Sequence, residues 1–575
     1  MEKIHIRDLG VVFFSLLVPL CSAVWPAPRE FSSGNTVLWL SPNFEFTGSQ
    51  NSSIGSFTGF DQIDRYSSDA LNRCRQDLFE DDFVPWKFHP RNSDFEPTLS
   101  NSSVYIKTVT VSQATSSSNS SSHFSTYGDE SYELNISENG DASIAANTTL
   151  GVLRALETFK QLFYVLSSRE GIYMPFAPVQ IKDSPSFKHR GLNLDIARSP
   201  YSVDDILHVL DVMSTVKFNQ LHIHATDSQS WPLQIPSLPN LANKGAYSRD
   251  LQITSDDLDN IQTYGMKRGI EVYIEIDMPG HTASVHHAYP DLITAYNELP
   301  DWPTYANEPP SGQLKLNSSA VFNFTDTLFS DLLPRISPYS TKYHTGGDEV
   351  NVNAYLLDPT VKSNSTSVLK PLLQSFFDHI HSSVRNAGLT PMVWEEMVLN
   401  WNLTFPSDVI VQSWISNASV LGAVEKGHPV IAGAYEYWYL DCGLGAWVDP
   451  RPDSNVVAPP YNDYCYPVKN WREIYSYNPL SGIPQNLTHL VLGGEVHLWS
   501  EQTDPVVLDR MLWPRAAAAA EVLWTTRAYP NGTERSFMEA SPRLAEWRER
   551  MVTKGVGAQP VQMVWCLMNP GACSQ

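Results

Sequence analysis

Gly191-Leu192-Asn193-Leu194-Asp195-Ile196, followed after a short polar turn by Ser202-Val203-Asp204-Asp205-Ile206 and on to Met213, is the stretch that decides the architecture. The first run is short and largely apolar and is bounded by turn residues, so it reads as a buried strand. In the second, Ile206, Val209, Leu210 and Met213 recur at helical spacing, and the start at Ser202 with Asp205 has the composition of a helix cap. A strand that passes at once into an amphipathic helix is the repeat of a parallel sheet. From His189 onward the pattern recurs. Further strands are expected at Gln220 to Thr226, Glu271 to Ile276, Lys342 to Thr345, Met392 to Trp394, Val409 to Gln412, Val430 to Ala434 and Val491 to Val496. Helices are expected at Leu258 to Lys267, Leu369 to Asn386, Val420 to Lys426 and Arg510 to Leu523. Eight strand units imply an α/β fold, a (β/α)8 TIM barrel.

Enzymes on that fold gather their chemistry at the C-terminal strand ends. Polar groups follow the first four strands here: Asp195 and Arg198, His224 and Asp227, Asp277 and His281, Asp348 and Glu349. Aromatic residues follow the last four: Trp394, Trp414, Trp438 and Tyr439 with Asp441, and Trp499 with Glu501. Tryptophan faces stack on the apolar faces of sugar rings while carboxylates and arginine take hydroxyls, so the pocket suits a carbohydrate.

The segment His344-Thr345-Gly346-Gly347-Asp348-Glu349-Val350 sets two adjacent carboxylates after two glycines. Taken alone, an Asp-Glu pair is most simply a surface turn. At the end of a barrel strand, a sharp turn can bring both into one pocket, where different neighbours separate their pKa values and let one donate a proton while the other stays anionic. His222 and His224 alternate on one strand and, with Asp227, offer a metal-ligand pattern, although buried hydrogen-bonded histidines account for it equally. Arg190 could serve as a second sugar ligand but reads better as an ion pair at the barrel rim, and the run Ala516 to Ala520 reads as a closely packed final helix.

A chain of 575 residues exceeds one ordinary core. The expected organisation is a leader at 1–23, a smaller α+β supporting domain at 24–183, and the barrel with a C-terminal extension at 184–575. The leader reading rests on Lys3 and Arg7, the apolar run Leu9 to Leu20 and the small-residue site Cys21-Ser22-Ala23. In the supporting domain a strand pattern covers Ser103 to Val111, a Ser-rich loop Ser112 to Ser122, and a helix Thr149 to Leu166. Twelve Asn-X-Ser/Thr sequons (Asn51, Asn101, Asn119, Asn135, Asn147, Asn317, Asn323, Asn364, Asn402, Asn417, Asn486, Asn531) fit a secreted, extracellular or wall-associated protein better than a vacuolar or lysosomal one. Outside the leader, Cys442 with Cys465 and Cys566 with Cys573 form two locally spaced pairs, predicted as disulfides, and Cys74 is left over. No run after the leader has the length of a membrane span, and a formal charge of −23 argues against a polyanionic partner such as nucleic acid.

Arg190 to Arg198, His222-Ile223-His224-Ala225-Thr226-Asp227, Asp277-Met278-Pro279-Gly280-His281-Thr282 and His344 to Val350 together resemble the family 20 β-N-acetylhexosaminidases, secreted fungal members in particular, over roughly residues 185 to 550. The family pattern has Trp where this chain has Ile223 and a second Asp where it has Ser228, a departure expected to tune the pocket's edge. The resemblance implies no cofactor, no metal, and exo-acting, retaining hydrolysis in which the substrate's own 2-acetamido oxygen attacks the anomeric carbon to give an oxazolinium intermediate. It also implies that Glu349 is the acid and then the base, that Asp348 holds the acetamido N–H, and that Tyr439 donates to the acetamido oxygen. Asp227 and His281 would tune Glu349. Trp394, Trp414 and Trp499 would form the apolar walls, and Arg198, Asp441 and Glu501 would bind ring hydroxyls. The expected partner is a 2-acetamido sugar, with a homodimer left open. The alternatives are a retaining glycosidase with a carboxylate nucleophile and a noncatalytic sugar-binding relative.

Overall fold

The computed structural model describes residues 24–48, 62–114, 128–449, 461–529 and 531–574. The expected leader at 1–23, Asn51, Asn119 and the Ser-rich tract from 115 onward lie outside the described residues; Ser112 and Gln113 close a strand.

Strands β1 (Glu30–Gly48), β2 (Tyr105–Gln113), β3 (Tyr132–Ile136), β4 (Ala142–Ala146), β5 (Tyr164–Val165) and β6 (Ile172–Asp183) form one mixed sheet in the order β1-β2-β4-β3-β6-β5. β1 is long enough to pair antiparallel with β6 through its first half and parallel with β2 through its second, with a register shift between Leu40 and Glu45. The alternation in β3, with Tyr132, Leu134 and Ile136 buried and Glu133 and Asn135 exposed, is that of a sheet with one face on a core. The helix expected at Thr149 to Leu166 stops at Lys160, because the chain turns and commits Tyr164 and Val165 to β5. An apolar run alone does not distinguish the two forms.

The second unit is a closed, all-parallel barrel. Its strands are β7 (His189–Asp195), β8 (Gln220–Thr226), β9 (Glu271–Ile276), β12 (Lys342–His344), β13 (Thr390–Trp394), β14 (Ile410–Ser413), β15 (Val430–Ala432) and β16 (Val491–Leu498), with β16 pairing back to β7. A small ribbon, β10 (Ile293–Thr294) with β11 (Gln313–Leu314), lies in the long connection between β9 and β12. The helix after β7 runs Val203–Thr215; Ser202 is its cap, and Asp205 closes the capping box from the third position. The single helix expected at Arg510 to Leu523 is two, Leu508–Leu512 and Arg515–Thr525, because Pro514 has no N–H to continue the ladder. Ala516 to Ala520 are fully buried in the second of these.

The sheet unit abuts the N-terminal ends of the barrel strands. Arg190 at the start of β7 is fully buried and pairs with Glu130 at 2.6 Å, which also takes Arg154 at 2.7 Å; Arg154 in turn donates to the Gly269 carbonyl at 2.7 Å. Lys217 and the Trp524 indole both reach Asp183. Arg190 is therefore a buried ion-pair residue on the side away from the strand ends that carry the chemistry. Cys442–Cys465 and Cys566–Cys573 are disulfides and Cys74 is a free, buried thiol. Among the described residues no helix is long and apolar enough to cross a membrane.

Candidate active site

The turn after β12 gathers the carboxylates. Gly346 and Gly347 adopt φ of 71° and 107°, and a Cβ on Gly346 would sit 1.7 Å from Asp277 Oδ1. Only glycine permits that approach, which lets the Gly347 N–H donate to Asp277 Oδ1 at 2.8 Å. Glu349 itself lies in the left-handed region at φ 50°, and so does His281 at φ 48°. Strain of this kind, about 1–3 kcal/mol per residue, persists where surrounding structure enforces it and clusters at functional sites.

His281 stands at the centre of the charged half. Its Nδ1 lies 3.1 Å from Asp227 Oδ1 and its Nε2 lies 3.4 Å from Glu349 Oε2 and 3.9 Å from Asp348 Oδ2. Burial alone would make this imidazole less basic, but Asp227, Asp348 and Asp277 outweigh it and raise its pKa well above the ordinary value. For Glu349, burial is likewise overcome, by the hydrogen bond and charge of His281 and by Asn307 and Arg198, so its pKa is lowered. Burial, with the neighbouring carboxylate second, drives Asp277 well above the carboxylate range, making it the proton-bearing partner of Asp348. Asp348 is raised by burial, against His281 and the hydrogen bond from Asp277. Its Oδ1 is buried and has no hydrogen-bond partner among the described residues, an acceptor available to a ligand N–H.

Arg198 meets Asp227 at 2.8 Å, Asp195 at 3.3 Å and Glu308, whose Oε1 lies 3.0 Å from Nε. Asp227 is held low by Arg198 and His281 despite its burial. Glu308, with Asn307, comes from the long connection between β9 and β12, which has no periodic pattern, and nothing in the sequence distinguished it. Glu396 was also missed: it is nearly buried two residues past Trp394, its Oε1 accepts from the Trp414 indole at 2.9 Å, and burial, then Asp348, raise its pKa well above the ordinary range.

The other half is aromatic. Trp394, Tyr439 and Trp499 pack with the Cys442–Cys465 disulfide into one buried cluster against Trp414 and Tyr435. Trp394 and Trp499 meet at 6.1 Å between ring centres, Tyr439 and Trp499 at 6.1 Å, and Trp414 lies nearly parallel to Tyr439 at 6.2 Å. Asp441 accepts from the Trp499 N–H at 3.4 Å, and burial raises it to about 7. Glu501, next to Arg198 and Asp441 in the electrostatic balance, is pushed well above the carboxylate range by burial. The residues expected at the strand ends thus lie in one of two adjoining clusters, with one exception: Trp438 is turned into the main core, packed on Tyr477 with its indole N–H donating to the Ile474 carbonyl at 3.1 Å. The metal-like pattern at His222 and His224 resolves differently: both nitrogens of His224 are taken, by Glu275 at 2.6 Å and Asp227 at 2.7 Å, and His222 lies between Glu275 and Glu495.

Residues 187–527 match the model of the glycosyl hydrolase family 20 catalytic domain, and residues 24–162 match the β-acetyl hexosaminidase-like domain. The chain belongs to glycosyl hydrolase family 20. It is 46% identical to a β-hexosaminidase of Arthroderma benhamiae, over 96% of this chain and 97% of that one. It is 32% identical to the chitooligosaccharidolytic β-N-acetylglucosaminidase of Bombyx mori, over 78% and 76%. The family 20 fold is shared with the exo-β-N-acetylglucosaminidase of Vibrio harveyi solved with N-acetylglucosamine, at a TM-score of 0.71 and 21% identity over 94% of this chain and 79% of that one. This family 20 chain is accordingly a glycoside hydrolase of the β-N-acetylhexosaminidase type.

Proposed function

We propose that the chain removes terminal, non-reducing β-linked N-acetylglucosamine, with N-acetylgalactosamine as a further substrate, from chitooligosaccharides or glycoconjugates by retaining, substrate-assisted hydrolysis. The observation that carries the reading is the junction of the two clusters: the adjacent carboxyls of Asp348 and Glu349, with His281 Nε2 3.9 Å and 3.4 Å away, beside an aromatic box that includes Tyr439. In this reading the sugar's acetamide lies between Trp394, Trp414 and Trp499. Asp348 Oδ1 accepts its N–H and offsets the positive charge that develops there, while the Tyr439 hydroxyl donates to the carbonyl oxygen as it closes on the anomeric carbon. Glu349 protonates the leaving oxygen, then takes a proton from the water that opens the oxazolinium ion. In the open site Glu349 is held low by His281. A bound sugar displaces water from the carboxylate and favours its neutral form, so the proton passes from His281 Nε2 across 3.4 Å. Asp227 keeps His281 charged until then. Arg198, Asp441 and Glu501 take the ring hydroxyls.

The N-terminal leader pattern and the sequons support secretion. The Bombyx mori relative's name, chitooligosaccharidolytic, supports short chitin chains as substrate.

Parallel kinetics on nitrophenyl N-acetylglucosaminide and nitrophenyl glucoside test the reading. Removing the internal nucleophile forfeits an effective molarity of about 10⁵ M or more, so the glucoside should be nearly inert. Comparable rates on the two would replace the substrate-assisted mechanism by one with an enzyme nucleophile, and no turnover of either would leave a sugar-binding protein.

A further inference from the structure

Below the site the barrel interior holds two fully buried glutamates, which share His222 but otherwise serve different neighbours. Glu495 on β16 lies against His189 at 2.6 Å, His222 at 3.3 Å, Gln412 at 2.8 Å and the Tyr273 hydroxyl, none of which lines the pocket. Glu275 on β9 reaches upward. Its Oε1 accepts from the Trp394 indole N–H at 2.6 Å and lies 3.0 Å from His344 Nδ1, and its Oε2 lies 2.6 Å from His224 Nδ1 and 3.1 Å from His222 Nε2.

Two of these contacts continue into the two halves of the site. Trp394 is a wall of the aromatic box. His224 passes through Nε2 to Asp227 at 2.7 Å, and Asp227 passes to His281 and so to Glu349. We propose that Glu275 is a positioning residue for hydrolysis, fixing the acetamide wall through Trp394 and the acid relay through His224 from a single buried carboxylate. The proposal rests on the hydrolytic reading above. Its physical basis is that a carboxylate accepts along several directions at once, and charge-assisted bonds in a dry interior are short and directional. Glu275 and Asp227 flank His224 and overcome its burial, raising it to about 10, so the relay begins with an imidazolium. His281 at the far end faces Asp227, Glu308, Asp277, Asp348, Glu349 and Arg198.

Glu275→Gln should act on both halves. Its amide carbonyl can still meet one donor, but the negative charge that keeps His224 protonated is lost. With a neutral His224, Asp227 spends its charge on His281, so the alkaline limb of kcat/KM should move to higher pH. The loosened Trp394 should weaken binding of a thiazoline that mimics the oxazolinium ion. Misplacement of this kind costs about 10²-fold in kcat/KM. Two single-contact variants separate the branches and keep the test alive if Glu275→Gln folds poorly. Trp394→Phe should weaken thiazoline binding and leave the pH profile in place, and His224→Gln should move the pH profile and leave thiazoline binding in place. Glu495→Gln controls for an amide replacing a buried charge and should lower Tm without either signature.

All rates are taken per thiazoline-titrated site. The proposal is overturned if Glu275→Gln moves neither readout or only one, if Glu495→Gln reproduces both, or if Trp394→Phe and His224→Gln shift the same readout. A wild-type chain inactive on the N-acetylglucosaminide would instead remove the functional reading itself.

Discussion

Asp227, His281 and Glu349 are placed by short ionic contacts between loops that leave three different strands, whereas Trp394, Trp414, Tyr439 and Trp499 are placed by packing on one another and on a disulfide. In the charged half the angle of one imidazole matters, and burial and neighbouring charges together set each pKa. In the aromatic half shape matters and no member need titrate. The contrast teaches that this site divides its labour. One half manages protons, the other positions a neutral amide, and Asp348 stands at the seam.

The largest effect should come from the charged half. Glu349→Gln removes the proton donor with little change in volume, and general acid catalysis contributes about 10²–10⁴-fold. The loss should be smaller for a nitrophenyl leaving group than for a natural disaccharide, and sugar binding should survive in calorimetry. Equal losses on both substrates would break the division by removing the acid role.

At the seam, Asp348→Asn keeps an acceptor but offers no charge. Turnover should fall about 10²-fold, within the range for loss of one preorganised electrostatic contact, and thiazoline affinity should fall with it. If turnover falls while thiazoline affinity holds, Asp348 belongs to the proton-handling half instead.

In the aromatic half, Cys442→Ser should raise KM several-fold with kcat nearly unchanged, because the disulfide packs on Tyr439 and Trp499 and closes the loop that follows Asp441. A fall in kcat without a change in KM would show that the loop serves chemistry and not positioning.

The smallest effect is on stability. The Asp441 carboxyl is raised to about 7 by burial, so its neutral form favours the fold. Its contribution is complete below the unfolded carboxylate pKa of about 3.9 and is lost as pH rises toward 7. Asp441→Asn should therefore flatten the decline of Tm between those values. An unchanged slope would mean that other raised carboxyls, the neighbouring Glu501 and the more distant Asp277, carry the dependence.

Much of the fold follows from local pattern. The strands at Gln220–Thr226 and Glu271–Ile276 have the bounds their apolar runs indicate, and the others differ by a few residues at an end. Local pattern failed where a backbone constraint or a competing pairing intervened, at Pro514 and at Tyr164. Of the site, the strand-end residues were legible because a barrel turns sequence position into location. Glu308, Glu396 and Glu275 were not: the first lies in an aperiodic loop, and the other two look like ordinary positions next to louder neighbours. By itself the sequence determined the barrel, the acidic pair, the aromatic set and both disulfides, because periodicity, turn glycines and cysteine spacing are local properties. Only the tertiary structure decided which carboxyl keeps its proton, which histidine touches which oxygen, and that one buried glutamate stands behind both halves, because burial and charge proximity depend on residues from strands far apart in the chain.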